Sequence, residues 1–586
     1  MAFLSDVHLL DIYGKFSDND YRGVLNPTTG KYTLARTMQS QLESTRLFNE
    51  NYFAFKAALN DLVKRGVKYA VLPGDFSDDG QKVNVRALKD ILISYANKHN
   101  INFILTTGNH DPVKPFYEDG GKKDFLGEEG KQQAIFSREN IFISKDSGAL
   151  PAVITKDIGK LGYKEILQEL KFFGFQPNEE TVYWETPFTN YLNGTYSYQK
   201  ALSKADISNR TYKIQPNLAE VPDLSYLIEL GNNIWFLAID GNVYLPGSEE
   251  ISYSPNDFKN ASVGYNNVLT HKAYLLNWVQ SVTKRAHKLG KTLIVFSHYP
   301  TVDFNDGATN EIRSLFGEDK MQLDRVPTDE VAKALSEAGV KVHFGGHMHI
   351  NDTGLKRFSK ERSLINIQVP SLAAYIPAYK LLTLKSNELF EVETIILDSV
   401  AGFNELFSLY KEEYNFLKEN NEEDIWNQDI LKSSSYKEFT EWHLRELVRF
   451  RFLKSDWPEG LKNILINKRG KELITFAESE QGDIESFYSE LLKQDINLND
   501  FEEWTGLDMV NDFYKIKNAD NLAIMDVGKI RINQYIALSK LFKSTAHREF
   551  SLFGTIFLKF CNGQPANHFQ IDLKSGEIMA INPLNQ

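Results

Sequence analysis

The sequence predicts an α/β fold in which parallel strands are covered by helices. Segment 51–66 has apolar residues at helical spacing and ends at Gly66, where a helix cap is expected. The apolar run 68–73 is typical of a buried strand, and a second amphipathic helix, with Asn84 as its candidate N-cap, leads into strand 102–106. This alternation implies parallel strands with helices on the faces of the sheet.

The same alternation returns after residue 230, so we interpret residues 112–230 as a long insertion. The insertion contains Trp184 and eight tyrosines, among them Tyr183 and Tyr226. These aromatic residues either pack a cap or form a stacking wall for a substrate. The elements predicted after the insertion are strand Ile234–Ile239, helix 269–288, strand Thr292–Phe296, helix 328–338, strand Val340–Phe344 and strands within 363–369 and 378–397.

The character of the chain changes near residue 399, where we place a domain boundary. Charged amphipathic helices, such as 436–453 and 527–543, follow this point, and a strand pair is predicted at 554–560 and 568–573. The expected organisation is a domain over residues 1–398, with its insertion or cap at about 112–230, and a mainly helical domain of unknown role over 399–586.

The composition limits the classes of function. The 586 residues carry a formal net charge of −12 and one cysteine, Cys561. Such a chain lacks the basic footprint that a nucleic-acid duplex requires, and a single cysteine excludes an intrachain disulfide or a cysteine-based zinc site. No apolar stretch approaches the roughly 20 residues of a membrane-spanning helix. The oligomeric state stays open.

The start of the chain bears on its compartment. No signal peptide is visible, and only Ala2–Ser5 is available for the first strand, which is shorter than the usual strand of about 5–6 residues. We therefore expect a soluble protein that is cytoplasmic, or secreted or periplasmic if an upstream signal has been removed.

Five short polar segments each follow a predicted strand. Ligands bind outside the carboxyl ends of the strands in open α/β sheets, so these segments are expected to meet in one crevice. They supply aspartate, histidine and asparagine side chains, a set that suits divalent manganese, iron or zinc. The segments are Asp6–His8, Gly74–Gly80, Gly108–Asp111, Ser297–Tyr299 and Gly346–His349.

The spacing within these segments suits a centre with two metal ions. Asp75 ends a strand, so its two carboxylate oxygens can face two ions, which repel each other at roughly 3.5–4 Å and need such a bridge. His347 and His349 lie two residues apart and project to the same side of an extended backbone, as do Asp6 and His8. A water held between two such ions loses a proton near neutral pH and becomes the nucleophile.

The five segments, in this order across about residues 1–398, resemble those of the calcineurin-like metallophosphoesterases, whose layered fold has mixed β-sheets flanked by helices. The resemblance implies that one ion is held by Asp6, His8, Asp75 and His349, and the other by Asp75, Asn109, His298 and His347. It also implies that His110 protonates or stabilises the leaving oxygen and that Asp111 orients the His110 ring.

Three further residues near the segments are expected to have structural roles and not to bind metal. Asp78 is interpreted as the N-cap of the following helix. Asp79 is expected at the surface, and His343 is expected in the core or behind the metal ligands.

The substrate class follows from looser similarities. Segment 223–240, the helix around Trp278 and the turn Ser297–Pro300 are similar to bacterial cyclic-nucleotide phosphodiesterase-like members with a long cap, and the sphingomyelinase-like branch is a neighbouring possibility. The presence of His8 and His110, without a tyrosine ligand beside the second segment, argues against the purple acid branch.

We therefore expect an enzyme that hydrolyses a small phosphodiester, of cyclic-nucleotide or phospholipid-headgroup type, by attack of a hydroxide bound to two divalent ions (Mn, Fe or Zn). Two alternatives stay open. One is a phosphomonoesterase or nucleotidase of relaxed specificity. The other is a metal-bound scaffold without catalysis, whose C-terminal domain binds a partner.

Overall fold

A computed structural model describes residues 1–144 and 149–581 of the chain. Two seven-stranded sheets form its centre. Their strands, numbered in chain order, are β1 Ala2–Phe3, β2 Tyr69–Pro73, β3 Asn102–Thr106, β4 Tyr183–Glu185, β5 Tyr226–Glu229, β6 Ile234–Ile239, β7 Thr292–Ser297, β8 Val342–Gly345, β9 Asp352–Arg357, β10 Ser363–Gln368, β11 Ala378–Leu384, β12 Leu389–Ile396, β13 His568–Asp572 and β14 Glu577–Ala580.

The first sheet has the strand order β14-β13-β12-β11-β1-β2-β3. Strands β1, β2 and β3 run parallel, whereas β11 pairs with β1 in the antiparallel direction. The predicted strands at 68–73 and 102–106 are confirmed. The two residues of β1 are sufficient for a central strand because both are fully buried and both pair with neighbours on either side.

The second sheet has the order β9-β10-β8-β7-β6-β5-β4. Strands β6, β7, β8 and β10 are parallel, as the alternation predicts, while the insertion contributes the antiparallel strands β4 and β5 at one edge. Strand β9 closes the other edge. Strand β9 was not predicted because it is mostly polar and charged, as is typical of an edge strand, and contains no apolar run. Its sequence is Asp-Thr-Gly-Leu-Lys-Arg.

The two sheets pack face to face, and helices cover their outer faces. The Phe3 ring of the first sheet stacks on the Phe344 ring of the second at a centroid distance of 3.9 Å, and Tyr69 packs against Phe236 at 5.2 Å. The predicted helices are present, and the helices of the sheet-bearing part are Met38–Leu42, Asn51–Lys64, Lys82–His99, Tyr163–Leu170, Tyr198–Lys204, Val268–His271, Tyr274–Lys288, Thr309–Phe316 and Asp329–Glu337.

Two local predictions are wrong. Asn84 is not an N-cap, because the helix begins at Lys82 after Gln81, and the Asn84 side chain instead accepts a hydrogen bond from the backbone N–H of Asp11 at 2.9 Å. Segment 554–560 is not a strand but the end of helix Arg548–Phe560. The prediction failed because Phe557 and Phe560 recur at helical spacing and are both buried on one face of the helix.

Helices dominate the chain beyond residue 399. They bury a second apolar core, which the short helix Thr309–Phe316 of the sheet-bearing part also joins. The final strands β13 and β14 return to the first sheet, where β13 pairs with β12. The main helices of this region are Phe407–Glu419, Tyr436–Leu447, Glu459–Ile466, Gly470–Ser479, Ile484–Lys493, Gly506–Ala519, Ala523–Val527, Lys529–Ser544 and Arg548–Phe560. The boundary near residue 399 stays a prediction.

The insertion is an extension of the core. Tyr183, Trp184 and Tyr226 are buried, and the Tyr226 hydroxyl donates a hydrogen bond to the Leu105 carbonyl of β3 at 2.5 Å. A separate small sheet of Gly121–Leu126, Gln132–Phe136 and Val153–Ile154 lies in the same segment. Across residues 1–144 and 149–581, none of the helices combines the length and the apolar character that crossing a membrane would require.

Candidate metal centre

Five loops bring polar side chains together at the carboxyl ends of strands from both sheets. The loops after β1, β2 and β3 carry Asp6, Asp75 and Asn109, and those after β7 and β8 carry His298 and His347. The loops after β1 and β2 are joined by backbone hydrogen bonds, including one from the His8 N–H to the Asp75 carbonyl at 2.8 Å. The crevice predicted from the strand ends is therefore present, and it lies where the two sheets meet.

The described residues contain two groups of side chains that could each hold a metal ion. Asp6, His8 and His349 form the first group, and Asp75, His298 and His347 form the second, with the ligand atoms of each group within 4.8 Å of one another. In the first group the Nε2 atoms of His8 and His349 are 3.2 Å apart. In the second, His298 Nε2 lies 3.1 Å from His347 Nδ1.

Asp75 connects the two groups. Its Oδ2 atom lies 3.2 Å from His298 Nε2 in the second group and 3.8 Å from His8 Nε2 in the first. Asn109 adjoins the second group, because its Oδ1 is 3.1 Å from His298 Nε2. The structure thus brings together every side chain that the sequence nominated as a metal ligand: Asp6, His8, Asp75, Asn109, His298, His347 and His349.

Backbone carbonyls fix the orientation of three of the four histidine rings. His349 Nδ1 lies 3.2 Å from the Thr45 carbonyl, and His298 Nδ1 lies 3.0 Å from the Pro73 carbonyl. His347 is turned the other way, with Nε2 at 2.8 Å from the Ser262 carbonyl. In each case the ring nitrogen that donates to a carbonyl points away from the group, so the other nitrogen faces the group. This arrangement is typical of histidines that bind metals.

The backbone at these ligands adopts a conformation that side chains ordinarily avoid. A positive φ costs an L-residue roughly 1–2 kcal/mol relative to the right-handed region. Such strain clusters at functional sites, where the surrounding structure holds it in place. The five ligands with this conformation are Asp6 (φ 50°), His8 (44°), Asp75 (49°), His347 (73°) and His349 (57°).

Two glycines make room for the aspartate ligands. A Cβ atom at Gly108 would collide with the Asp75 carboxylate, and one at Gly346 would collide with Ser5 and with the Asp6 carboxylate. The backbone of the third and fifth loops therefore approaches the carboxylates more closely than any residue with a side chain permits.

Asp75 governs the protonation of the second group. Burial alone would lower the pKa of His298, but the Asp75 carboxylate more than offsets this and raises that pKa to about 9. The pKa of Asp75 is held well below its usual range, because the charges of His298 and His110 outweigh the effect of burial. Burial also lowers the pKa of His8 and of His347. A divalent ion bound here would take the place of the proton on His298.

His110 lies beside the two groups and is oriented by Asp79. Its Nδ1 is 2.5 Å from Asp79 Oδ1, and Lys122 of the insertion forms an ion pair with the other Asp79 oxygen. The prediction that Asp79 lies at the surface is wrong, since its side chain is 9% exposed. The pKa of Asp79 is held well below its usual range, because Lys122 and His110 outweigh its burial.

Asp111, the predicted partner of the His110 ring, has a different set of contacts. Its carboxylate accepts hydrogen bonds from the backbone N–H groups of Asp75, Ser77 and Gly108 at 2.8–3.2 Å. It therefore joins the loop after β2 to the loop after β3 and does not orient His110. Burial and the nearby Asp75 charge raise the pKa of Asp111 well above its usual range.

Asp78 also departs from its predicted role, because Gln81 occupies the N-cap position of the helix. Instead, Asp78 Oδ1 accepts a hydrogen bond from Arg46 Nη2 at 2.9 Å. The positive charge of buried Arg46 adds to burial in lowering the pKa of His8. The charges of Asp79 and Asp75 in turn raise the pKa of Arg46. Arg46 could not be predicted because it stands in a turn segment without hydrophobic periodicity. Lys122 could not be predicted because no motif distinguishes it from the other lysines of the insertion.

The chemistry of the donor set fits two divalent transition-metal ions. Buried carboxylates, an amide oxygen and oriented imidazole nitrogens meet without a thiolate, and one carboxylate lies between both groups. When bound, such ions polarise a phosphoryl oxygen and lower the pKa of a water. His343, expected in the core or behind the ligands, is buried between Ser297 Oγ and Asn366 Oδ1, each at 2.8 Å.

Among solved structures, the chain is similar to a dimetal phosphatase from Danio rerio, with 10% sequence identity and a TM-score of 0.27, over 67% of this chain and 94% of that one. It is also similar to a purple acid phosphatase from yellow lupin (Lupinus luteus) seeds, with 11% identity and a TM-score of 0.29, over 67% of this chain and 51% of that one. No curated protein matches the sequence significantly.

The family model described as calcineurin-like phosphoesterase matches residues 1–164. The matched segment includes the loops that carry Asp6, Asp75 and Asn109, and the structure adds His298, His347 and His349 from beyond it to the same two groups. Residues 1–164 of the chain therefore match a calcineurin-like phosphoesterase domain.

Proposed function

We propose that this protein is a hydrolase that uses two divalent metal ions to cleave a small phosphodiester, of cyclic-nucleotide or phospholipid-headgroup type. The observation that carries the proposal is the pair of adjoining ligand groups around Asp75. Two ions held by these groups would supply the positive charge that in-line displacement at one phosphoryl group needs. A scaffold without catalysis has no chemical need for seven converging ligands.

His110 is the candidate general acid. With Nδ1 bound to Asp79, its Nε2 is directed toward the ligand groups, 4.0 Å from Asp75 Oδ2, and the side chain is 27% exposed. The protonated ring carries a hydrogen on Nε2, which can pass to the leaving oxygen as the phosphorus–oxygen bond breaks. Asp79 holds the ring in this orientation and stabilises its charge.

The test combines metal analysis with a pair of substrates. Protein purified without chelator and reconstituted with manganese is expected to contain close to two ions per chain, and to hydrolyse bis(p-nitrophenyl) phosphate faster than p-nitrophenyl phosphate. One ion or none after reconstitution would contradict the two-metal proposal.

The substrate pair also separates the alternatives. A preference for p-nitrophenyl phosphate would replace the diesterase proposal with a phosphomonoesterase or nucleotidase. Two bound ions without hydrolysis of either compound would favour a metal-bound scaffold with a partner-binding C-terminal domain.

A further inference from the structure

A pocket lies between the metal centre and the C-terminal helices. Its volume is about 350 Å³, which is within the usual range for sites that bind small molecules. The metal-ligand candidate His349 lines one end. The other walls include Arg325 from the loop before helix Asp329–Glu337, and Arg451 and Lys517 from the C-terminal helices. Any molecule that approaches the first ligand group from this side contacts residues from both parts of the chain.

Arg325 stands on a fixed loop and has no direct partner. The Asn266 amide donates hydrogen bonds to the carbonyls of Asp324 and Val326 at 2.9 and 3.0 Å, which sets the backbone on both sides of Arg325. Within the described parts of the chain, the Arg325 guanidinium makes neither an ion pair nor a hydrogen bond. Burial lowers the pKa of Arg325, while the charges of Asp324 and Asp75 act in the opposite direction.

Lys517 reaches the pocket from helix Gly506–Ala519. The end of this helix is docked on the loop that carries His349, since the Asn351 N–H donates to the Asn518 carbonyl at 2.8 Å and the Asn351 amide donates to the Ala519 carbonyl at 3.3 Å. In the described structure, the Lys517 ammonium has no hydrogen-bond or ion-pair partner. Burial lowers its pKa to about 8, although Asp352 and Asp456 act in the opposite direction.

The acidic residues of the pocket do not neutralise these cations by contact. Asp319 and Asp324 line the pocket but are exposed, and Asp456 accepts its hydrogen bond from Ser455. Arg325 and Lys517 are half-buried, while Arg451 is exposed and close enough for its charge to act on Arg325. Arg325 and Lys517 therefore lose part of their hydration without gaining a contacting partner, and this arrangement favours an anion that would supply hydrogen bonds.

We propose that Arg325, Arg451 and Lys517 form a subsite for a second phosphoryl group of the substrate, next to the phosphodiester that is cleaved. The inference rests on the proposed phosphoester hydrolysis and adds the C-terminal region to the substrate site. A phosphoryl group fits because its oxygens can accept paired hydrogen bonds from the planar guanidinium of arginine and a further one from an ammonium group.

The test uses two diesters that differ only in the second phosphoryl group: adenosine 2′,3′-cyclic phosphate and the same compound with a 5′-phosphate. The wild-type, metal-reconstituted full chain is expected to show a kcat/KM at least about tenfold higher for the 5′-phosphorylated compound, since a charge-assisted hydrogen bond contributes roughly this much. Lys517→Gln and Arg451→Gln are each expected to reduce this ratio several-fold, mainly through KM, and Lys517→Arg is expected to retain most of it.

Lys493→Gln is the matched control, because Lys493 is an exposed lysine at the end of helix Ile484–Lys493. It is expected to leave both rates unchanged. Equilibrium binding of adenosine 3′,5′-bisphosphate and of adenosine 3′-monophosphate gives a readout that is independent of turnover. The bisphosphate is expected to bind more tightly, and this difference in affinity is expected to be smaller in Lys517→Gln. Thermal melting shows whether each variant is folded, and Arg451→Gln provides a second, exposed position.

The outcomes separate the two proposals. Failure to hydrolyse bis(p-nitrophenyl) phosphate would overturn the proposed function itself. Hydrolysis of that compound without any preference for the 5′-phosphate, or a preference that survives both glutamine variants, would overturn the subsite alone.

Discussion

The strand-end loops and the insertion at 112–230 both come close to the crevice, but they use their side chains differently. The loops hold buried carboxylates and imidazoles, and five of these residues have positive φ. The insertion instead buries its aromatic side chains in the core, with Trp184 donating to the Gly174 carbonyl at 3.0 Å and Tyr226 to Leu105. Strained backbone together with converging metal-binding side chains indicates a functional site. Buried aromatic residues with satisfied hydrogen bonds instead indicate a contribution to the stability of the fold.

One contact between the two regions leads to His110. Lys122 of the insertion pairs with Asp79, and Asp79 in turn contacts His110. Substitutions in the loops, at this junction and in the insertion are therefore expected to have decreasing effects on catalysis.

Asp75→Asn is expected to have the largest effect. It removes the negative charge between the two ligand groups, so at least one ion should be lost. We expect kcat/KM to fall by about a thousandfold or more, because the ions contribute several kcal/mol of transition-state stabilisation. Elemental analysis and kinetics on the same sample measure both effects. Asp61→Asn, which alters a carboxylate paired with Arg65 on the helix surface, is the control. Retention of two ions in Asp75→Asn would argue against the bridge.

His110→Ala is expected to have the next largest effect. The ring packs edge-on against the His8 ring at a centroid distance of 5.0 Å but is not itself a candidate ligand. The metal content should therefore change little, while kcat falls by about 10²–10⁴-fold through loss of general acid catalysis. The deficit should be smaller for p-nitrophenol, an acidic leaving group, than for an aliphatic alcohol. Equal impairment for both leaving groups, or loss of metal, would remove His110 from this role.

Asp79→Asn and Lys122→Gln test the junction. Loss of the Asp79 charge leaves the ring with a weaker partner, and we expect kcat to fall by about 10–100-fold while the metal content and KM change little. Lys122→Gln should also lower kcat, but by a smaller factor. Lys123→Gln is the matched control, because Lys123 is exposed while its neighbour Lys122 is half-buried. If Asp79→Asn changed metal content instead of kcat, Asp79 would be part of the metal centre rather than a residue that positions His110.

Tyr226→Phe is expected to have the smallest effect, and on stability alone. It removes the hydrogen bond to the Leu105 carbonyl and leaves that buried acceptor without its partner, which costs about 1–2 kcal/mol in the free energy of unfolding. The ratio of diester to monoester activity should be unchanged. Denaturant unfolding and the substrate pair measure the two properties, and a changed ratio would show that the insertion takes part in substrate selection.

The sequence was sufficient to predict the parallel strands of both sheets and the candidate ligands because both depend on local patterns. Buried strands are short apolar runs, and Asp6, Asp75 and His347 each follow one directly. The partner of His110 could not be predicted in this way. Asp79 and Asp111 are both close to His110 in the loops, and only the packing of Lys122 and of three backbone N–H groups distinguishes them.

Residues that reach the site from distant segments of the chain could also not be predicted from the sequence. Arg46, Arg325 and Lys517 belong to no motif, and they reach the crevice through turns and a docked helix whose positions depend on tertiary contacts. Segment 554–560 illustrates the same limit, since a short apolar run does not by itself distinguish a strand from the end of the helix that packs against Lys529–Ser544.

The return of β13 and β14 to the first sheet has a consequence for how the protein is made. During synthesis, β12 remains an unpaired edge strand until residues 568–572 have left the ribosome, more than 170 residues later. An open edge of this kind can pair with another chain and so favours aggregation. A nascent or truncated protein that lacks the hairpin is therefore expected to need chaperone protection, even though its metal ligands are already present.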